Sequence, residues 1–141
     1  WFGANIERLR QKSKSDNIYC NWNATNVDRM AIIESLRRID VRITHQRNLP
    51  FDEYIENMST HKFVVSPPGN GIDCHRTWEA LYVGCIPIVI RDYIYEQWSD
   101  LPILQVTDYS EITNDLLTSA VKRQWTLEKL NINYWRELFY A

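Results

Sequence analysis

The sequence contains few of the features that mark several common classes of protein. Among its 141 residues are only three cysteines, Cys20, Cys74 and Cys85, an odd number with no C-x-x-C pair. This argues against a disulfide scaffold and a structural zinc site, and buried reduced thiols are the simpler interpretation. The longest apolar run, Ile86 to Ile90, is far shorter than the roughly 20 residues that a membrane-spanning helix needs. A globular protein without a spanning helix is therefore expected.

An excess of charge of one sign is also lacking. The chain has 16 Lys and Arg against 18 Asp and Glu, for a formal net charge of −2. This balance gives no argument from composition for binding to nucleic acid or to a membrane surface. With 45% hydrophobic and 24% charged residues, the composition is typical of a folded chain rather than a disordered one.

The organisation expected from length is one domain. The polar and basic residues 1–16 are interpreted as a lead-in or linker, either helical or mobile, and residues 17–141 as a single domain. The chain opens without an initiator Met, as though it were cut from a longer protein. Because no signal peptide or spanning segment is visible in it, a cytoplasmic location is expected.

Metal-binding patterns are scarce as well. The three histidines, His45, His61 and His75, are scattered along the chain, and no Asp-x-Asp pair follows a predicted strand. The sequence therefore predicts no metal site.

Apolar periodicity predicts five strands and at least five helices. The strands are expected at Asn17–Trp22, Val41–His45, Lys62–Ser66, Ile86–Ile90 and Ile103–Val106. The helices are expected at Asp28–Ile39, Phe51–Ser59, His75–Val83, Ser110–Trp125 and Leu127–Phe139. This alternation predicts an α/β, Rossmann-like three-layer αβα domain with a mostly parallel sheet of four or five strands. Gly84 is expected to end a helix, and Pro87 to lie at a strand start.

One loop in this pattern is rich in glycine and joins a strand to a helix. Gly69, Asn70 and Gly71 follow the strand that ends at Ser66. Two glycines beside an asparagine favour positive φ angles and exposed backbone N–H groups. Because a helix N-terminus follows, the loop is suited to phosphate.

Two charged side chains lie on the first turns of that helix. Arg76 can bind phosphate oxygens through two N–H groups, and Glu79, one turn later, can accept hydrogen bonds from ribose hydroxyls. Together with the loop they indicate a nucleoside diphosphate site. The loop matches neither a Walker loop nor Gly-x-Gly-x-x-Gly, in which position 74 would be glycine. The alternative interpretation is a structural turn in which Arg76 and Glu79 form an exposed ion pair.

Residues 62–90, KFVVSPPGNGIDCHRTWEALYVGCIPIVI, resemble the donor-binding signature of exostosin-like (glycosyltransferase family 47-like) GT-B glycosyltransferases. The signature consists of a strand, a glycine-containing loop, an Arg, then Glu-Ala-Leu, Gly-Cys-Ile-Pro and a hydrophobic strand. The resemblance is firm over about residues 50–92 and looser elsewhere. It implies that the chain is the C-terminal, donor-binding half of a GT-B fold.

The resemblance also implies roles for individual residues. The backbone of Gly69, Asn70 and Gly71, together with Arg76, would hold the pyrophosphate of a nucleotide sugar, and Glu79 would hold the ribose. Ser66 and Asp73 would line the pocket near the sugar. The segments at 21–23 and 46–47 would either face the same cleft or be plain surface loops.

This chain departs from the family pattern in two ways. Many retaining GT-B enzymes have a Glu eight positions before the ribose-binding Glu, and here that position is Gly71, which counts against a retaining mechanism of that type. A GT-B enzyme also has an N-terminal acceptor domain, which commonly supplies the general base of inverting members. The catalytic base is therefore expected on an N-terminal domain outside this sequence.

The expected function is metal-independent transfer of a sugar from a nucleotide-diphosphate sugar to a hydroxyl acceptor, such as a glycan, with no cofactor. The alternatives are a non-catalytic nucleotide-binding module or degenerate half-enzyme, and a flavodoxin-like or receiver-type domain, for which an acidic cluster is lacking. Trp125, Trp135 and Phe139 are expected to form an exposed aromatic patch that supports self-association. Tyr93, Tyr95 and Trp98 are interpreted either as packing residues or as a stacking platform for the ligand.

Overall fold

Five parallel strands form a single sheet in the computed structural model, which describes residues 1–23 and 27–140. The strands are β1 (Ser15–Asn21), β2 (Ile43–Gln46), β3 (His61–Val65), β4 (Ile86–Ile90) and β5 (Leu104–Val106). Their order across the sheet is β2-β1-β3-β4-β5, and each neighbouring pair is parallel. All five strands predicted from the sequence are present, with ends shifted by no more than two residues.

Within the described residues, six α-helices precede, connect and follow the strands. They are α1 (Phe2–Arg10), α2 (Val27–Arg37), α3 (Phe51–Met58), α4 (His75–Tyr82), α5 (Asn114–Lys122) and α6 (Ile132–Tyr140). Short 3-10 helices occur at Tyr93–Trp98, Tyr109–Glu111 and Glu128–Leu130. The lead-in predicted at 1–16 thus contains a helix, α1. In the described part of the chain no helix is both long and apolar enough to cross a membrane.

Both faces of the sheet are covered, because side chains alternate along each strand. Ile18 and Cys20 of β1 are buried in a cluster that also includes Leu36 of α2 and Leu117 of α5. Tyr19 of β1 points to the other face, where it belongs to a second buried cluster with α1, α3 and α4. The predicted three-layer α/β, Rossmann-like architecture is confirmed.

A third cluster covers the end of the sheet near β4. Tyr95 is only 2% exposed, and Trp98 packs edge-on against Trp78, with ring centroids 5.3 Å apart. Both residues are packing residues, as one of the two interpretations held. Tyr93 is exposed.

The C-terminal helices are shorter than predicted, because polar side chains begin a new helix at two points, Thr113 and Asn131. The side chain of Thr113 accepts a hydrogen bond from the N–H of Leu116 and begins α5, so the helix predicted at 110–125 was too long. The helix predicted at 127–139 is split at Asn131, which has extended backbone angles. Its side-chain oxygen accepts a hydrogen bond from the N–H of Asn133 near the start of α6.

The predicted aromatic patch near the C-terminus is confirmed only at Phe139, which is 76% exposed. Trp135 is half-buried and packs against Trp98, and the half-buried Trp125 donates its indole N–H to the carbonyl of Ala120. Leu138 and other apolar side chains of α6 are exposed beside Phe139. Self-association through this surface stays a prediction.

Gly84 closes the last turn of helix α4, which ends at Tyr82, as the sequence predicts. Gly84 has a φ of 79°, the N–H of Cys85 donates to the carbonyl of Ala80, and the N–H of Gly84 donates to the carbonyl of Leu81. This is the Schellman arrangement, in which a left-handed residue closes the last turn. The chain then enters β4, where Pro87 precedes Ile88, the first residue of β4 paired with β5.

Replacing Gly84 with alanine is expected to lower the free energy of unfolding by at least about 1 kcal/mol, because alanine is strained at positive φ. The added Cβ would also lie 3.1 Å from Cγ of Arg10. Urea unfolding followed by circular dichroism measures the change. Gly3→Ala is the control: Gly3 lies in α1 with nothing within 4 Å of an added Cβ, so this variant should be as stable as wild type or more so. Equal effects of the two substitutions would contradict this account.

His61 is a buried histidine at the start of β3, with 7% of its surface exposed. Its Nδ1 donates to the carbonyl of Asn57 at 2.8 Å, and its Nε2 accepts from the hydroxyl of Thr44 at 3.0 Å. Burial lowers the pKa of His61, although the bond to Asn57 acts in the opposite direction. The folded protein therefore holds this imidazole neutral at pH values where the unfolded chain protonates it.

Because the pKa of His61 is lowered, we expect the free energy of unfolding to decrease as the pH is lowered below about 6.5. In that range the unfolded chain gains a proton that the folded chain does not bind. His61→Gln should lose less unfolding free energy than wild type between pH 7.5 and pH 5, as measured by urea titration. Some loss should remain, because burial also lowers the pKa of His45. Gly3→Ala, which changes no titratable group, should keep the wild-type pH dependence. A wild-type slope in His61→Gln would disprove the assignment.

Candidate functional site

The strand order creates a crevice at one edge of the sheet. β1 and β3 are neighbours, and the connection after β1 runs to β2 while the connection after β3 runs to β4, in opposite directions across the sheet. In parallel α/β sheets ligands bind at such a switch point, beyond the carboxyl ends of the strands. A cavity of about 540 Å³ lies here, between the loop after β1, the start of α3 and the first turns of α4.

Arg76 lies on the first turn of α4 and lines this cavity. Its Nε donates to the backbone carbonyl of Asn21, the last residue of β1, at 3.1 Å. The guanidinium carbon lies 5.9 Å from the ring centroid of Trp22, within range of a cation–π contact. These contacts fix the half-buried guanidinium of Arg76 at the carboxyl end of β1. Segment 21–23, which the sequence offered as a possible part of the cleft, lines the cavity.

Glu79 lies one turn further along α4 and lines the same cavity. It accepts a hydrogen bond of 2.7 Å from the hydroxyl of Tyr54, on α3. Burial, and then the charge of Glu79, raise the pKa of Tyr54, so its hydroxyl stays protonated and donates. Since Arg76 and Glu79 have different partners, they do not form the exposed ion pair of the alternative interpretation.

Two other predicted site residues lie outside the cavity wall. Ser66 is 2% exposed, and its Oγ lies 2.9 Å from the hydroxyl of Thr77 and 3.1 Å from Sγ of Cys74. Asp73 is exposed, and both of its carboxylate oxygens accept from the indole N–H of Trp78 at 3.1 Å. Ser66 ties the loop to α4, and Asp73 faces the neighbouring aromatic cluster.

The glycine loop also differs from its predicted form. Among the described residues, positive φ angles occur at Asn48 and Gly84, so the prediction of positive φ at Gly69 and Gly71 is wrong. The loop bends with ordinary angles, and the N–H of Gly69 donates to the carbonyl of Gly71 at 3.0 Å. Gly69, Asn70 and Gly71 therefore lie beside the cavity rather than in its wall. Of the two glycines, Gly69 lies closer to a residue of the cavity wall, because an added Cβ at Gly69 would lie 3.4 Å from Nη2 of Arg29.

Several cavity residues were not predicted from the sequence. Arg29 of α2 brings a second arginine to the wall, and Phe51 and Tyr54 extend the apolar face of α3 to it. Asn48 and Leu49 line the cavity, although the prediction placed the contact at 46–47. Asn48 has a φ of 58°, and asparagine ahead of a Leu-Pro pair is a recognisable signal for such a turn.

The charge in the cavity favours an anionic ligand. Two arginines, Arg29 and Arg76, face one carboxylate, Glu79, and the N-terminal turn of α4 forms part of the wall. The partial positive charge of a helix N-terminus adds to that of the arginines. Within residues 1–23 and 27–140, no three His, Cys, Asp or Glu side chains lie close enough together to hold a metal ion.

The fold and the cavity define an α/β protein with a polar cavity at the carboxyl edge of a parallel sheet. A sequence model described as the Exostosin GT47 domain matches residues 2–125, from α1 to just beyond α5. The chain belongs to the exostosin GT47 family of glycosyltransferases. The resemblance identified in residues 62–90 is thereby confirmed.

Removing the hydroxyl of Ser66 is expected to destabilise the junction between the loop and α4. Ser66→Ala leaves the fully buried hydroxyl of Thr77 with one hydrogen-bond partner fewer, which should lower the free energy of unfolding by about 1 kcal/mol. Urea titration measures the loss. Ser110→Ala, at an exposed position, is the control and should stay within about 0.5 kcal/mol of wild type. Equal stability of Ser66→Ala and wild type would show that this bond contributes nothing.

Proposed function

We propose that this chain is the donor-binding part of a GT-B glycosyltransferase that transfers a sugar from a nucleotide-diphosphate sugar to a hydroxyl acceptor. The observation that carries the proposal is that Arg76 and Glu79, one turn apart on α4, line a single cavity at the switch point of the sheet. Membership of the exostosin GT47 family supports the reaction class. The cavity volume of about 540 Å³ lies within the range of small-molecule sites.

The diphosphate is assigned to the arginine side of the cavity. Arg76 uses its Nε on the carbonyl of Asn21. Toward the described residues, its terminal nitrogens make one long contact, of 3.9 Å from Nη1 to Sγ of Cys74. Those nitrogens are suited to phosphate oxygens. Together with Arg29 and the N-terminal turn of α4, they would stabilise the negative charge that develops on the departing nucleoside diphosphate.

The nucleoside is assigned to the side of the cavity nearer α3. Glu79 accepts from Tyr54 through Oε2, which leaves Oε1 for a ribose hydroxyl. Leu49 and Phe51 give the wall an apolar part, and Phe51 is 48% exposed beside Tyr54. An exposed aromatic ring at a polar cavity is suited to packing against a nucleobase.

The remaining predicted site residues stay part of the proposal. Because Gly69 lies close to Arg29, we assign the loop with Gly69, Asn70 and Gly71 to the sugar and pyrophosphate. Asp73, whose carboxylate accepts from Trp78, stays a predicted neighbour of the sugar. Ser66 supports this loop through its contacts with Thr77 and Cys74. We assign the general base to an acceptor domain outside this sequence, and we propose that catalysis does not use a metal.

Calorimetric titration with UDP, GDP and their sugar conjugates tests this assignment. Arg76→Ala and Glu79→Ala should each weaken binding by about tenfold to a hundredfold, because each removes a charged hydrogen-bonding group. The matched controls are Arg123→Ala, which removes an arginine packed on Trp125, and Glu128→Ala. Both controls should bind as wild type does, and EDTA should leave binding unchanged.

The absence of binding to every nucleotide would contradict the proposal. Binding by the chain without sugar transfer by the protein together with its acceptor domain would favour the non-catalytic nucleotide-binding alternative. Loss of binding in the control variants would indicate that the effects are not local to the cavity.

A further inference from the structure

We infer that Tyr54 is a positioning residue that orients Glu79 toward the ribose, and that it thereby sets the preference of the site for ribonucleotides. This inference rests on the proposed function, because it concerns the same cavity. It adds a role for a residue on a different helix from the one that carries Arg76 and Glu79.

The first step is the geometry of the contact. The hydroxyl of Tyr54 lies 2.7 Å from Oε2 of Glu79, and both side chains line the cavity. The Tyr54 ring is packed between aromatic neighbours, with centroid distances of 6.2 Å to Phe51 and 6.3 Å to Tyr19. The hydroxyl is therefore held at a fixed point, and the carboxylate is held through it.

The second step is the direction of the bond. A carboxylate can only accept, so the phenol must donate. Burial raises the pKa of Tyr54, and the charge of Glu79 raises it further, so the hydroxyl keeps its proton and donates it to the bond. Oε2 is occupied by this donor, and Oε1 is the oxygen left to accept from a ligand.

The third step is the cost of ordering. The terminal torsion of a glutamate is broad, so a carboxylate without a partner samples many orientations. A carboxylate that is already oriented loses less freedom when a ligand binds, and this raises affinity for the groups it contacts. The effect should be confined to ligands with ribose hydroxyls, because only they contact Glu79.

The test compares Tyr54→Phe with wild type in the 141-residue chain, using the diphosphate that binds (UDP or GDP) and its 2′,3′-dideoxy analogue. The dissociation constant of the dideoxy analogue divided by that of the ribonucleotide measures how strongly the site prefers ribose hydroxyls. Tyr54→Phe should reduce this ratio by about threefold to tenfold, the value of one hydrogen bond, through weaker binding of the ribonucleotide alone. In Glu79→Ala the ratio should approach one.

The matched control is Tyr82→Phe. Tyr82 is half-buried and its hydroxyl donates to the carbonyl of Leu130, outside the cavity. This variant should keep the wild-type ratio. A double-mutant cycle of Tyr54→Phe with Glu79→Gln should show coupling for the ribonucleotide and none for the dideoxy analogue.

The outcomes separate the inference from the function on which it rests. If wild type binds neither diphosphate, the proposed function is wrong and the inference fails with it. If Glu79→Ala removes the preference and Tyr54→Phe keeps it, the function stands and the positioning role is wrong. Equal weakening of both ligands by Tyr54→Phe also overturns the inference, because it would mark Tyr54 as a packing residue.

Discussion

The placement of β1 between two parallel neighbours is the constraint on which the rest of the structure depends. β1 pairs with β2 on one side and with β3 on the other, so three strands end at the same edge. The segments that leave them belong to different helices: Asn21 precedes α2, Asn48 precedes α3 and Cys74 precedes α4. No local interaction in the sequence brings these segments together. The parallel pairing brings them to one edge, where they form the walls of one cavity.

Helix α4 shows how one short segment serves the core and the site at once. Thr77, Ala80 and Leu81 are fully buried, and they fix the rotation of the helix about its own axis. Arg76 and Glu79 lie three residues apart and therefore share one side, next to the buried side, which faces the cavity. The orientation of both charges follows from core packing. The site is accordingly as rigid as the contact between α4 and the sheet, and less dependent on the glycine loop than its sequence indicates.

The sequence predicted the features that depend on periodicity and on chain order. The bounds predicted for β4 from its continuous apolar run match the structure, and helical spacing correctly predicted that Arg76 and Glu79 lie on one side of α4. It failed where the outcome depends on tertiary neighbours. Glycine permits positive φ without requiring it, and Gly69 does not use it. Apolar periodicity predicts the helix that carries Tyr54, but it does not identify the charged residue that faces this helix from another one.

The two helices that meet at the cavity are also joined at their far ends. The ammonium group of Lys14 donates to the carbonyl of Ser59, at the end of α3, at 2.6 Å, and to that of Val83, at the end of α4, at 2.9 Å. A cation there complements the negative ends of both helix dipoles. Burial lowers the pKa of Lys14, a cost that these two bonds offset. The hydrogen bond between Tyr54 and Glu79 joins the same helices at the cavity. With α3 and α4 joined at these two places, the distance between the α3 wall and the α4 wall of the cavity is fixed by contacts within the protein.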